Sequence, residues 1–246
     1  MAVLDVRNLT MSFADKKLYE DASFQLEKHE HMGIVGQNGA GKSTTINHVI
    51  GLLRPFSGSI ILNGQNLQEN AAAYKRQIAY VPETPILYDE LTLKEHLELT
   101  MLAYGLDRDL TWQNAHQLLK IFRLDNKLDW FPANFSKGMK QKVMIVSAFM
   151  TDAKLFIVDE PFYGLDPLAV HDLLNLIEEK KAQGAGILMS THVLDTAQRY
   201  CDRFILLAHG QVKAHGTLKE LQQKAAGAGE TLDDIYLRLA RDESDE

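Results

Sequence analysis

The chain has almost no cysteine. Cys201 stands alone among 246 residues, which excludes an intramolecular disulfide and any multi-thiolate metal site. A reducing cytoplasm suits such a chain, with Cys201 expected as an inert core or near-surface residue. Long apolar runs are missing as well. Leu155 to Val158 and Ile205 to Ala208 fall far short of the ~18 residues that a membrane-spanning helix needs. The opening MAVLDVRNLT lacks the basic start and apolar stretch of a secretory signal, so none is expected. Base is outweighed by acid, and the formal net charge of −7 argues against a broad polyanion-binding surface. What remains is ordinary for a globular protein, 46% hydrophobic and 24% charged. The chain is long enough to bury a proper core, in one large domain or two modest ones.

Strand and helix signals then alternate along the chain. Val3 to Leu9 and Leu18 to Leu26 read as strands around a polar turn at Asp15-Lys16-Lys17, and Met32 to Val35 is a short apolar strand ending in glycines. A helical stretch follows from Lys42 to Leu52, and Ser59 to Leu62 is one arm of a hairpin whose turn, Asn63-Gly64, needs positive φ. The middle is helical. Thr92-x-x-Glu95 is a capping box ahead of Leu93, Leu97 and Met101 at helical spacing, and further helices are expected at Trp112 to Phe122 and Ser136 to Met150. After these, apolar strands at Leu155 to Val158, Ile187 to Met189 and Phe204 to Leu207 alternate with helices at Leu168 to Lys181 and Leu194 to Tyr200. That alternation implies a parallel sheet covered on both faces, in an α/β core interrupted by a helical insertion at about residues 86–145. Past the loop Gly227-Ala228-Gly229, Leu232, Ile235, Tyr236 and Leu239 share one helix face, expected to dock on its own domain rather than on a partner. The acidic tail from Asp242 to Glu246 is expected to fray in solvent.

The chemistry is concentrated at Gly36-Gln37-Asn38-Gly39-Ala40-Gly41-Lys42-Ser43, which fits G-x-x-x-x-G-K-[ST]. Glycines let successive backbone N–H groups turn inward as an anion nest, and the helix starting at Lys42 adds its positive end to the same place. Gly36, Asn38, Gly39, Ala40, Gly41 and Thr44 are the expected phosphate contacts. Lys42 is expected to reach the β- and γ-phosphates, and the Ser43 hydroxyl to ligate Mg²⁺. Chance would produce this pattern in about one chain in a hundred of this size, and here it also joins a strand to a helix. Downstream, the strand Leu155 to Val158 runs into Asp159-Glu160. Beside a phosphate loop, Asp159 is expected to hold Mg²⁺ and Glu160 to orient or deprotonate the attacking water.

From these residues on, the chain resembles the ATP-binding cassette family over nearly all its length. Phe135-Ser136-Lys137-Gly138-Met139-Lys140-Gln141 looks like a variant of that family's LSGGQ signature, Gly164-Leu165-Asp166 its D-loop and Ser190-Thr191-His192 its switch-histidine motif. The resemblance implies a P-loop NTPase (RecA-like) core with an antiparallel β subdomain and a helical signature subdomain, over residues 1–222. Residues 223–246 would then be a C-terminal helix and tail. It also implies that Ser136 and Gly138 bind the γ-phosphate held by an opposite subunit, that His192 hydrogen-bonds the γ-phosphate, and that Asp166 serves the shared site. Phe13 occupies the place of the aromatic that stacks on adenine, with a core phenylalanine as the competing reading. Glu83 stands where the family has glutamine, as a further Mg²⁺ ligand, and Lys137 replaces a signature glycine. These variants resemble the cassettes that serve ABC-2-like exporters.

The implied function is an ATPase powering a separate integral-membrane subunit at the cytoplasmic face of the cell membrane. It would pair with a second ATP-binding subunit, an identical chain being expected, and would use no nucleic acid. Ile86, Leu87 and Tyr88 are expected either at the membrane partner or buried in the helical insertion. A soluble ATPase of this type acting on nucleic acid or the ribosome is the competing reading. It is disfavoured by one P-loop, the acidic charge, and too little chain between Lys42 and Ser136 for a long coiled coil.

Overall fold

The computed structural model describes residues 2–13, 16–224 and 229–241. Two sheets organise it. The first is antiparallel, with strand order β2-β1-β4-β5, from β1 (Ala2–Phe13), β2 (Lys16–Glu27), β4 (Ser57–Leu62) and β5 (Gln65–Asn66). Lys16 and Lys17, expected in a turn, are already in β2, while Asp15 lies outside the described residues. The β4–β5 turn is the expected one: Asn63 and Gly64 have φ of 46° and 79°, the left-handed pair that fits the twist of a two-residue hairpin.

The second sheet has the order β10-β9-β3-β8-β7-β6. Here β3 (His31–Val35), β6 (Ile78–Val81), β7 (Leu155–Asp159), β8 (Gly186–Thr191) and β9 (Arg203–Ala208) are parallel, and β10 (Gln211–Gly216) closes one edge antiparallel. Every residue of β3, β7 and β8 is buried, as expected of strands covered on both faces. Alternation sorts them. Leu155, Ile157, Leu188 and Ile34 join the core shared with the antiparallel sheet and α1 (Lys42–Val49), whereas Phe156, Val158, Ile187 and Val35 join the core under the helices. α1 stops at Val49, short of the expected Leu52, because Gly51 takes a φ of 73°.

A short α2 (Ala71–Lys75) precedes β6, and the insertion between β6 and β7 holds α3 (Leu93–Tyr104), α4 (Arg108–Ile121) and α5 (Lys137–Phe149). α3 starts on the expected capping box and ends on Gly105 in the left-handed region. α4 starts earlier than its apolar pattern, because the Asp107 carboxylate caps it by accepting from the Leu110 N–H. The last helices are α6 (Pro167–Ala182), α7 (Leu194–Tyr200), α8 (Leu218–Lys224) and α9 (Leu232–Arg241). Leu232 and Ile235 of α9 are fully buried, so the helix docks on its own chain, as expected. Among the described residues no helix is long and apolar enough to cross a membrane.

One buried group makes this fold sensitive to acid. His31 opens β3 with no exposed surface, and burial, helped by the positive charge of Lys181, lowers its pKa to about 4. The folded chain therefore keeps His31 neutral where the unfolded chain protonates it. The stabilisation is complete above the unfolded value near 6.5 and fades as pH falls toward 4. Between about pH 7 and pH 5 this residue should cost about 2 kcal/mol of stability. Urea midpoints at the two pH values should separate less in His31→Leu than in the natural sequence; equal separations would remove His31 as the cause.

Candidate functional site

The phosphate loop leaves β3 at its C-terminal end and enters α1. Gly39 and Gly41 have φ of 82° and 107°, and an added Cβ at either meets nothing within 4 Å. Their value is conformational: they turn the backbone N–H groups toward an open cavity. Gly36 is different, because a Cβ there would lie 2.4 Å from the Leu207 carbonyl oxygen, so only glycine lets the loop start this close to β9. Ala40 is buried beneath the loop, its N–H donating to the Gln37 carbonyl at 3.1 Å. The Lys42 ammonium donates to the Gly36 and Gln37 carbonyls at 2.8 and 3.3 Å and pairs with Glu160 at 3.2 Å.

Strand parity supplies the acids. Asp159 follows Leu155 and Ile157 on the face toward α1, where its Oδ1 lies 3.5 Å from the Ser43 hydroxyl. Two residues that sequence reasoning left without a role surround it. Ser190, in register beside Asp159 on β8, donates to Asp159 and accepts from the Glu160 N–H at 3.0 Å. Tyr80, in register beside Ile157, is half-buried, and its hydroxyl hydrogen-bonds Asp159. Burial first, then the Asp159 charge, drives the Tyr80 pKa far up, so the phenol stays protonated as a donor. Ser190 could have been found by counting alternate positions along β8, but Tyr80 carries no motif. Glu160 then leaves the strand with a φ of 45°, a conformation a non-glycine residue seldom adopts. That turn sends its carboxylate away from Asp159, to Lys42 and to His192 Nδ1, the latter at 2.9 Å. The two adjacent acids are thus given separate surroundings.

Asn38, Gly39, Gly41, Lys42, Ser43, Thr44, Glu83, Glu160 and His192 line one open cavity of about 980 Å³. Tyr163, His209 and Gly210 line it too, the last pair from the β9–β10 hairpin turn, whose φ values of 50° and 77° match its type. Ser43, Asp159 and Glu83 offer the hard oxygens that Mg²⁺ takes, and the first two already face each other, so these residues fit the ion by donor type.

The signature residues lie elsewhere. Ser136 caps α5 by accepting from the Met139 N–H at 3.2 Å, and Gly138 sits in the first turn. Asp166 caps α6 and pairs with Lys142 at 2.7 Å, joining the D-loop segment to the signature helix. None of Ser136, Gly138 and Asp166 lines the cavity of its own chain. Lys137 lies over the Tyr163 ring at 3.9 Å. Ile86 and Tyr88 are 72% and 60% exposed, while Leu87 packs against the helical core, so burial holds for only one of the three. Phe13 ends β1 opposite Lys16, and the position expected of its ring lies outside the described residues.

A glycine loop at the C-terminal end of a parallel sheet, facing a carboxylate two strands away, defines a P-loop nucleotide-binding protein. Residues 19–163 match the family model described as ABC transporter. The chain belongs to that family, as an ATP-binding subunit that binds and hydrolyses ATP. It is 51% identical over 244 residues to the ABC-type transporter ATP-binding protein EcsA of Bacillus subtilis, covering 99% of each chain. The Nod factor export ATP-binding protein I of Burkholderia lata is 31% identical over 227 residues, 92% of this chain and 75% of that one. Among solved structures, an ATP binding subunit of an ABC transporter has a TM-score of 0.94 at 51% identity, over 96% of this chain and 99% of the other. The ADP conformation of another ATP-binding cassette has a TM-score of 0.76 at 26% identity, over 96% and 99% of the two chains.

Proposed function

We propose that this subunit pairs with a second copy of itself to clamp ATP, and that the pair drives a separate integral-membrane exporter from the cytoplasmic face of the membrane. The observation that carries the pairing is the position of Ser136 and Gly138, exposed or half-exposed and outside their own chain's cavity. Residues that bind a γ-phosphate from there need another chain's P-loop. Export is supported by relatives named for it, the Nod factor protein above and a lipopolysaccharide export ATP-binding protein 31% identical to this chain. Neither of those names points to nucleic acid. Exposed Ile86 and Tyr88, just after Glu83, are the apolar surface offered to the membrane subunit.

Within the cavity, Lys42 and the loop N–H groups bind the β- and γ-phosphates, and Phe13 stacks on adenine. Ser43, Asp159 and Glu83 hold Mg²⁺, whose charge offsets that of the phosphates. Glu160 takes a proton from water as the water oxygen bonds to the γ-phosphorus and the bridging oxygen leaves with ADP. His192 orients that water and the γ-phosphate, and Asp166 completes the pair's shared site.

Purification from membranes with bound partners tests the assembly; recovery without any integral-membrane protein would count against it. For the metal, Glu83→Gln should shift the Mg²⁺ concentration for half-maximal hydrolysis several-fold while ATP still binds. An unaltered Mg²⁺ titration would remove Glu83 from the ligand set.

A further inference from the structure

The C-terminal helix reaches the phosphate loop. Tyr236, on α9 and 3% exposed, accepts a hydrogen bond from the Gln37 N–H at 3.0 Å and donates to the Leu207 carbonyl at 3.3 Å. That carbonyl is the one Gly36 packs against. Gln37 in turn receives Lys42 and Ala40 on its own carbonyl, at 3.3 and 3.1 Å. A chain of contacts therefore runs from the Tyr236 hydroxyl through one residue to the lysine of the P-loop. A hydroxyl suits the position because it accepts and donates at once, and Gln37 N–H and Leu207 C=O need one of each.

The other end of α9 is fixed to the switch segment. The Leu232 N–H, at the first turn of α9, donates to Gln198 Oε1 at 2.6 Å, and Gln198 is on α7, the helix that begins two residues after His192. Thr231 and Asp234 cap the same turn reciprocally, at 3.0 and 3.2 Å. α9 is thus tied to both halves of the site, the loop that carries Lys42 and the segment that carries His192.

The geometry points to Tyr236 as a positioning residue for nucleotide binding, with α9 as the support that fixes the start of the P-loop. This rests on the cavity being the ATP site. Docking of α9 and occupation of the loop then favour each other, and by linkage each strengthens the other by the same factor. Anything that pulls α9 away weakens ATP binding at a distance from the phosphates.

Tyr236→Phe in the full chain keeps the ring and removes only the hydroxyl. The Kd for MgADP and the KM for MgATP should both rise about five-fold, the effect of losing the bond to Gln37, which is the one of the two that reaches the loop, while kcat stays within about two-fold. Ile235→Val, one position away and equally buried, should lower the Tm without moving either constant. Unchanged constants in Tyr236→Phe would overturn the assignment, as would an equal rise in Ile235→Val. In the natural sequence, saturating MgADP should slow amide hydrogen exchange across residues 232–241; exchange there that ignores MgADP overturns it whatever the variants do. If the natural sequence itself bound no MgADP, the site assignment beneath the proposal would fall instead.

Discussion

Glu160→Gln should stop ATP turnover while leaving ATP bound. The side chain is 12% exposed, pairs with Lys42 at 3.2 Å and with His192 Nδ1 at 2.9 Å, and is carried on a backbone bent to a φ of 45°. An amide of the same size can keep that position but cannot take the proton of an attacking water. Hydrolysis should therefore fall by at least ~100-fold, the lower range for a positioned general base. Affinity should not fall. Lys42 loses a competing anion, and the loop N–H groups, Ser43 and Asp159 are untouched, so the Kd for ATP should stay the same or tighten. With clamping intact and turnover blocked, ATP should accumulate as a paired species visible by light scattering. Phosphate release and ATP binding measured on one preparation separate the alternatives. A normal rate would mean that another group accepts the proton, and lost binding would mean that Glu160 serves the loop rather than the water.

Much of this site was legible in the sequence because its parts are local. A glycine loop, an N-cap or an acid at a strand end is specified by a few neighbouring residues. Thr92 with Glu95, Ser136 at the start of α5 and Asn63-Gly64 are all legible in such short spans. The misses share a cause. The phenols of Tyr80 and Tyr236 meet Asp159 and Gln37 across long stretches of chain, and only the folded register of β6 against β7, or the docking of α9, brings them there. Hydrophobic pattern predicts that Tyr236 is buried and is silent about its hydroxyl. Lys137 is the opposite case. Its exchange for a signature glycine is visible, but its resting place over Tyr163 depends on a turn whose path no periodicity encodes. Strand β10 leaves little trace in the sequence because its burial alternates weakly at the sheet edge.

Gly138→Ala should be nearly as damaging as the loss of Glu160, through a backbone clash rather than through the loss of any donor. A Cβ at position 138 would stand 2.5 Å from the Gly164 carbonyl oxygen. Real Cβ atoms essentially never approach so closely, and the atom it meets is backbone, so no side chain can swing aside. Gly164 is itself fixed at a φ of 83°, and the two segments are held together by Lys142 on Asp166 and Lys137 over Tyr163. The methyl group must push the first turn of α5 away from the D-loop segment. Alanine keeps the backbone N–H, so the donor proposed for the γ-phosphate survives, but its position does not. Displacement of a positioning group by about 1 Å can cost ~100-fold in rate, and overpacking of this kind costs about 1–3 kcal/mol in stability. Nucleotide binding to a single chain should be unchanged, since Gly138 lies outside that cavity. Hydrolysis should fall ~10- to 100-fold, the Tm should drop, and the single-chain Kd for ATP should hold. A variant that hydrolyses ATP at the natural rate would show that the α5–D-loop contact is loose enough to yield, and that the close approach at Gly138 is not what sets the geometry of the signature.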